Sequence, residues 1–462
     1  MLTRKSAPLL FLLLSIAFAV KAQDTLSLKK AISVAVENYG TIKAKASYAK
    51  AAEEQVSQAR RDYLPNFNIA AQQDYGTING QNGPLYGFGG LSVASSGIPL
   101  DHQNWNVAFG ALYLTNINWD FFAFGRAKEK ILTAQAAATR EQKDWQQELF
   151  RHEVKVAATY LNLLAAHQLS LSYEKNLARA DTFRRIVNTR VLNGLIAGVD
   201  SSQANAELSN ARISLSRARD AEQEQSNLLA QLMGIPAREF ILDTVFVTRV
   251  PDIPQDSVVT TGHPLLQWYK SRIAVSEEQT RYFKTFYYPA FSLVGVLQTR
   301  GSGFNSGYTV DQTDFSRGYW DGIHPTRTNY LFGLGLTWNI TQPFRIAKQV
   351  KAQRFISKGL EEEYELAEQQ VNAQLHLSDT KIKNALDIYQ EVPAQVRAAT
   401  NAYVRKAVLY KNGLTNLVDV TQALYVLVRA ETDRDIAYSN IWQALLLKAA
   451  AAGDFSLFEN QL

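Results

Sequence analysis

The chain has no cysteine among its 462 residues. Disulfides, thiolate nucleophiles, thiolate metal ligands and lipidation of an N-terminal cysteine are therefore excluded. Beyond the N-terminal segment there is also no apolar run of 18 residues. No spanning helix is expected there, so any route into a membrane must be made of β-strands. Excess charge is missing too. The formal net charge of +5 falls to +2 without Arg4, Lys5 and Lys21, and nucleic-acid binding gains no support from it. The six histidines (102, 152, 167, 263, 324 and 376) are dispersed. Glu148 and His152 have a spacing that a metal would accept, but a surface ion pair is the simpler reading. Gly87-Phe88-Gly89-Gly90 lies between strand-like segments, not before a helix, and is not read as a phosphate cradle. Glu361-Glu362-Glu363 reads as a solvated helix face. No nucleophile–base pair is evident. The chain is expected to be no enzyme and to hold neither cofactor nor metal.

What is present begins with a secretory signal over residues 1–22. Arg4 and Lys5 precede an apolar core over 8–20, and Val20-Lys21-Ala22 is an acceptable cleavage site before Gln23. The remainder, 23–462, is expected to be one elongated domain written twice. Asn193-Gly194-Leu195, Val199-Asp200, Gln203-Ala204, Leu208 and Ala211 return 219 residues later as Asn412-Gly413-Leu414, Val418-Asp419, Gln422-Ala423, Leu427 and Ala430. In each copy a long helical pattern stops at Asn-Gly, where left-handed backbone is cheap. The Asp that follows can cap the next helix. The repeats are placed at 26–234 and 262–455, with a linker over 235–261 that holds Pro236, Pro251 and Pro254.

Each repeat alternates helix and strand. Between Arg126 and Asn193 there is neither Gly nor Pro for 68 residues, a helix of ~100 Å at ~1.5 Å per residue. A 35-residue partner, 199–233, returns along it. The second copy repeats these lengths, with a kink expected near Pro393. A shorter helix before each strand pair is expected to stack end to end with the 35-residue one beside the long helix. Residues 26–37, 234–260 and the C-terminus would then cover the gap as a belt.

Strands are expected at about 64–75, 105–119, 289–300 and 329–341. Trp105, Val107, Phe109, Ala111, Tyr113, Ile117 and Trp119 share one face. Tyr330, Phe332, Leu334, Leu336, Trp338 and Ile340 share another, with Gly333, Gly335, Thr337 and Asn339 opposite. Bulky-out, polar-in alternation is the pattern of a membrane barrel, and Trp105, Trp119, Tyr330 and Trp338 suit an interfacial girdle. The competing pattern is a soluble sheet with one buried face. Four strands cannot close a barrel. Two chains would give a filled one and three a conduit, and the trimer is the reading taken.

These residues resemble the TolC family of outer membrane efflux and secretion channels. The resemblance rests on the duplicated halves, Tyr63-Leu64-Pro65 and Tyr287-Tyr288-Pro289 before the first strand of each, His263-Pro264-Leu265-Leu266, and the two Asn-Gly-Leu turns. It implies a mainly helical fold with β. Long duplicated hairpins form an α-barrel tunnel, and four strands per chain join a homotrimeric 12-stranded barrel in the outer membrane, above a long periplasmic extension. It implies passive conduction, with a periplasmic adaptor (membrane fusion protein), an inner-membrane transporter of RND or ABC type and outer membrane lipid as partners. The periplasmic aperture would be formed by Asp419, Gln422, Tyr410, Thr415 and Asp200. The family has a second acid where Gln422 stands, and a basic residue completes its latch at Thr415. Asn193, Gly194, Leu195, Asn412, Gly413 and Leu414 would be adaptor-docking tips. The alternative from another class is a periplasmic coiled-coil scaffold or adaptor without a pore.

Overall fold

The structure, a computed structural model, describes residues 25–80, 98–243, 245–252 and 262–461. The expected signal peptide, Gly87-Phe88-Gly89-Gly90 and part of the linker lie outside these residues. In chain order the elements are α1 (Leu28–Asn38), α2 (Gly40–Arg61), β1 (Asn66–Gly76), β2 (Ala108–Phe122), α3 (Arg126–Leu192), α4 (Gly198–Leu232) and α5 (Val245–Thr248). They continue with α6 (Pro264–Lys284), β3 (Ala290–Ser302), α7 (Tyr319–Ile323), β4 (Arg327–Thr337), α8 (Gln342–Lys411), α9 (Leu417–Ala452) and α10 (Ser456–Glu459). The chain divides into two compact units. One gathers the chain up to Lys45, Gln146–Leu266 and Ala367–Leu462; the other holds Ala46–Trp145 and Gln267–Leu366.

The first unit has its core where the belt was expected. Val156, Ala157, Tyr160, Leu161 and Leu164 of α3 pack with Leu229 and Leu232 of α4 and Trp442, Leu445 and Ala449 of α9. Leu28, Ala31 and Ala35 of α1, Phe246 of α5 and Phe458 of α10 close the cluster. Its polar groups are matched. The Tyr160 hydroxyl donates to the Leu26 carbonyl at 2.7 Å and accepts from the Asp243 N–H at 3.2 Å. The Trp442 indole donates to the Arg249 carbonyl at 3.1 Å. α8 runs through Gly359 and Pro393 as one continuous helix. A proline removes one N–H donor from the ladder, and Val392 and Ala399 on either side of it are buried.

Four helix ends share one chemistry. At the tips, Gly194 donates to the Val191 carbonyl and Leu195 to Arg190, while Gly413 donates to Tyr410 and Leu414 to Leu409. At the far ends, Gly234 donates to Gln231 and Ile235 to Ala230, while Gly453 donates to Ala450 and Asp454 to Ala449. Each is a Schellman stop with glycine in the left-handed region, φ +69, +74, +65 and +73 respectively. Gly234 and Gly453 also stand 219 residues apart, a third sign of duplication. They differ from the tip glycines in having no room. A Cβ on Gly234 would lie 3.0 Å from the Asn38 Cβ, and one on Gly453 2.6 Å from the His263 Cα. The end of α4 thus abuts the chain just before α2, and the end of α9 abuts it just before α6.

The second unit holds an antiparallel sheet in the order β1-β2-β3-β4. Two expected boundaries shift. The Asn104 carboxamide takes the Asn106 N–H at 2.7 Å, a local turn that leaves Trp105 outside β2. Trp338 also falls outside, because β4 ends at Thr337 and the Asn339 carboxamide bends the chain by taking the Thr341 N–H at 3.1 Å.

Candidate functional site

Register assigns each strand residue to one face of the sheet. Phe67 pairs with Ile117, Ile117 with Gly295, and Gly295 with Phe332. That row defines an apolar face shared by Ile69, Tyr75, Phe109, Tyr113, Leu293, Leu297, Tyr330, Leu334 and Leu336. Its edges stand open: Ile69 is 78% exposed, Tyr330 77% and Phe332 74%. Gly295 is small because a Cβ there would meet the Ile117 Cγ2 at 2.6 Å. The opposite face carries Asn68, Gln72, Asp74, Asn116, Asn118, Ser292, Gln298 and Asn329, with Ala70, Leu112, Leu114, Val294, Val296 and Leu331 among its apolar members. Asn68 donates to the Asn116 carboxamide at 2.9 Å on this side. β1 and β4 each lack a neighbour on their outer edge among the described residues.

At the helix end of the sheet, an indole in each half locks the chain where it turns from helix into strand. Trp119 Nε1 donates to the Tyr63 carbonyl at 2.8 Å, and Trp338 Nε1 donates to the Tyr287 carbonyl at 3.2 Å. The same aromatic-x-Pro tyrosine receives the bond in each half. At the other end, α7 lies against the apolar face. The Tyr319 ring meets Phe109 edge-on at 5.2 Å, its hydroxyl donates to the Gln73 carboxamide at 2.9 Å, and Tyr113 donates to the Ile323 carbonyl at 3.2 Å. Nothing in the sequence pattern signalled that this loop folds back.

The two tips meet within the first unit. Phe183, Val187, Ala204, Tyr410, Leu417 and Val420 form one buried cluster. Tyr410 is only 3% exposed, with its ring 5.6 Å from Phe183 and the Arg190 guanidinium 5.2 Å over it. Arg190 also donates to the Tyr410 carbonyl. Burial pushes the Tyr410 phenol up, the Asp200 carboxylate adds to this, and Arg190 opposes it.

Neither expected acid is an N-cap. Both are the third residue of their helix. Asn416 caps α9 by accepting the Asp419 N–H at 2.9 Å, and α4 starts from Ala197 with no side-chain cap. The Schellman stop sets the turn, so the capping position falls three residues before each Asp. Asp419 is thereby free for another role. Its Oδ2 accepts the Thr415 hydroxyl and, at 2.9 Å, the Lys406 ammonium. These two donors, Thr415 first, hold its carboxyl below the usual range. The basic partner missing at position 415 thus comes from α8, a residue not singled out from the sequence. Gln422 is exposed on α9. Leu195 and Leu414 are 65% and 72% exposed, while Asn193 and Asn412 turn their amides onto the Thr189 and Val408 carbonyls.

The Glu148–His152 pair is not at the surface. Both are buried; Glu148 takes the Arg151 guanidinium, and the His152 ring bonds the Leu232 carbonyl and stacks on Tyr39 at 3.8 Å. Among the described residues no acid–histidine group has the composition of a metal site.

Among the described residues the sheet is open at both edges, apolar on one face and polar on the other, and it is joined to duplicated long hairpins, the combination seen in outer-membrane channels. The family described as outer membrane efflux protein matches residues 31–235, the first repeat. The fold is similar to that of CusC (TM-score 0.76, 14% identity, 92% of each chain covered). It is similar to the outer membrane protein VceC of Vibrio cholerae (0.72, 16%, 92% of this chain and 96% of that one). It also matches the open state of the Neisseria gonorrhoeae outer membrane channel MtrE (0.71, 15%, 92% and 89%). No curated protein matches the chain by sequence. The outer membrane efflux protein model thus covers the first repeat, and the chain as a whole has the fold of these outer-membrane channels.

Proposed function

We propose that three copies close one barrel by joining β1 of each to β4 of the next, and that the product is the exit duct of a tripartite efflux system. The carrying observation is the sheet itself, whose four strands end, among the described residues, in two unpaired edges. Unpaired edges cannot face lipid, where each lone N–H or C=O costs several kcal/mol. The apolar face would meet the membrane and the polar face would line the bore, with Trp119, Tyr330 and Trp338, and Trp105 from its position before β2, at the interfaces. Asp419, held by Thr415 and Lys406, and the Asp200–Tyr410–Arg190 group would narrow the periplasmic opening. The exposed leucines of the two tips would receive a periplasmic adaptor, which couples the duct to an inner-membrane pump. Export of small solutes is favoured over protein secretion.

The absence of cysteine makes the test clean. Ala70→Cys on β1 combined with Leu331→Cys on β4 should give covalent ladders up to a trimer under oxidation. The untreated protein should give conductance steps in planar bilayers. A monomer without ladder or conductance would sink the duct.

A further inference from the structure

The polar face of the sheet carries an acid at its helix end and a net positive charge at its loop end, where two arginines outnumber Asp74. At the helix end Asp120 accepts the Ser292 hydroxyl at 2.6 Å. At the loop end the last pair of the β3–β4 ladder sets Arg300 directly across from Arg327. Cross-strand partners project to the same face, with Cβ atoms about 5 Å apart. Leu112 and Gln72, which continue that row onto β2 and β1, bring no charge. Both arginines are exposed, and among the described residues neither has an acid partner.

The acids of β1 and of the β3–β4 connection accept hydrogen bonds from other groups. Asp74, on β1, accepts the Gln72 amide at 3.0 Å. In the connecting loop, Asp311 accepts from Thr313, Asp314 from Asn305 and the Gly307 N–H, and Asp321 from Ser316. Like charges set opposite in a ladder are destabilising, and a guanidinium cannot escape by losing its proton. Such a pair weakens the sheet unless something negative sits between the two.

We propose that Arg300 and Arg327 form an anion-binding subsite on the bore-lining face near the outlet, fitted to carboxylate or phosphate groups. Two adjacent guanidinium forks match the oxygens of such groups. Three copies would ring the outlet with these pairs and concentrate anions there. The exported solutes favoured by this outlet carry a carboxylate or phosphate. The proposal rests on the duct reading.

The test uses the purified full chain and inorganic phosphate as the probe. In a potassium chloride gradient, the Arg300→Gln/Arg327→Gln channel should reverse closer to the potassium potential than the unaltered one. Phosphate added on the loop side should reduce the unaltered current and act at least tenfold more weakly on the variant. Independently of current, phosphate at constant ionic strength should raise the temperature at which the unaltered trimer dissociates. The variant should start higher in phosphate-free buffer and not respond. Equal reversal potentials and equal phosphate responses overturn the subsite while leaving the duct intact. Absence of both trimer and conductance overturns both.

Discussion

At Asp419 one carboxylate gathers a hydroxyl from the turn and an ammonium from the preceding helix, the latter at 2.9 Å. Thr415 first, then Lys406, lowers its proton affinity. A lowered value means the contact is complete above the ordinary carboxylate range near about 4 and disappears as pH falls through the lower folded value. If this contact narrows the aperture, current should rise only in acid below about pH 4. Thr415→Ala should move that step toward neutrality. Asp419→Ala should raise conductance at pH 7 and weaken block by divalent cations, whereas unchanged current would place the constriction elsewhere. The acid was readable from the repeated motif. Lys406 was not, because it lies 13 residues away across a reversal whose register only the folded hairpin supplies. The stop glycines make a second prediction at this scale. Gly194→Ala meets open space and should cost only the left-handed backbone penalty, about 1–2 kcal/mol. Gly453→Ala adds overlap with the His263 backbone and should lower the melting midpoint further. Equal losses would mean that the junction gives way.

The helix junctions carry their own pH dependence. At the α9–α6 junction both His263 nitrogens are used: Nδ1 accepts the Leu265 N–H at 3.2 Å and Nε2 donates to the Ala450 carbonyl at 3.2 Å. Only the neutral ring can do both. Burial lowers its proton affinity, against a smaller opposing effect of the Ala450 bond. His152, bonded to the end of α4 and stacked on Tyr39, is lowered by burial as well. For a lowered histidine the unfolded chain binds more protons below its ordinary value near about 6.5, so stability falls as pH drops through that range. The melting midpoint should decline between pH 7.5 and 5, and His263→Asn should flatten the decline; an unaltered slope would remove His263 from the account. Strand and helix identity were legible because period two and long breaker-free runs are local signals. The apolar faces of β2 and β4 were assigned from alternation alone. The α7 fold-back and the histidine junctions were not legible, since each depends on contacts between residues far apart in sequence.

For the assembled molecule the decisive surfaces are those a single chain leaves open. In the proposed duct the β1 and β4 edges meet other copies of this chain, and the helical tips meet the adaptor. In a Schellman stop the residue after glycine commonly packs back onto its own helix. Here that residue is Leu195 or Leu414, and both stay mostly exposed, joined by Val199 at 70% and Val418 at 60%. Packing within the turn therefore does not explain them. Covering a leucine from water is worth roughly 1.5–3 kcal/mol, so a partner that buried both tips in three copies would gain much from a small area. Duplication places the same apolar residue at both tips, which suits repeated docking of a helical hairpin. Leu195→Asp combined with Leu414→Asp should abolish export in cells and capture of the adaptor while leaving the trimer and its single-channel conductance unchanged. Loss of the trimer would assign the leucines to folding. Intact export would move the docking surface off the tips.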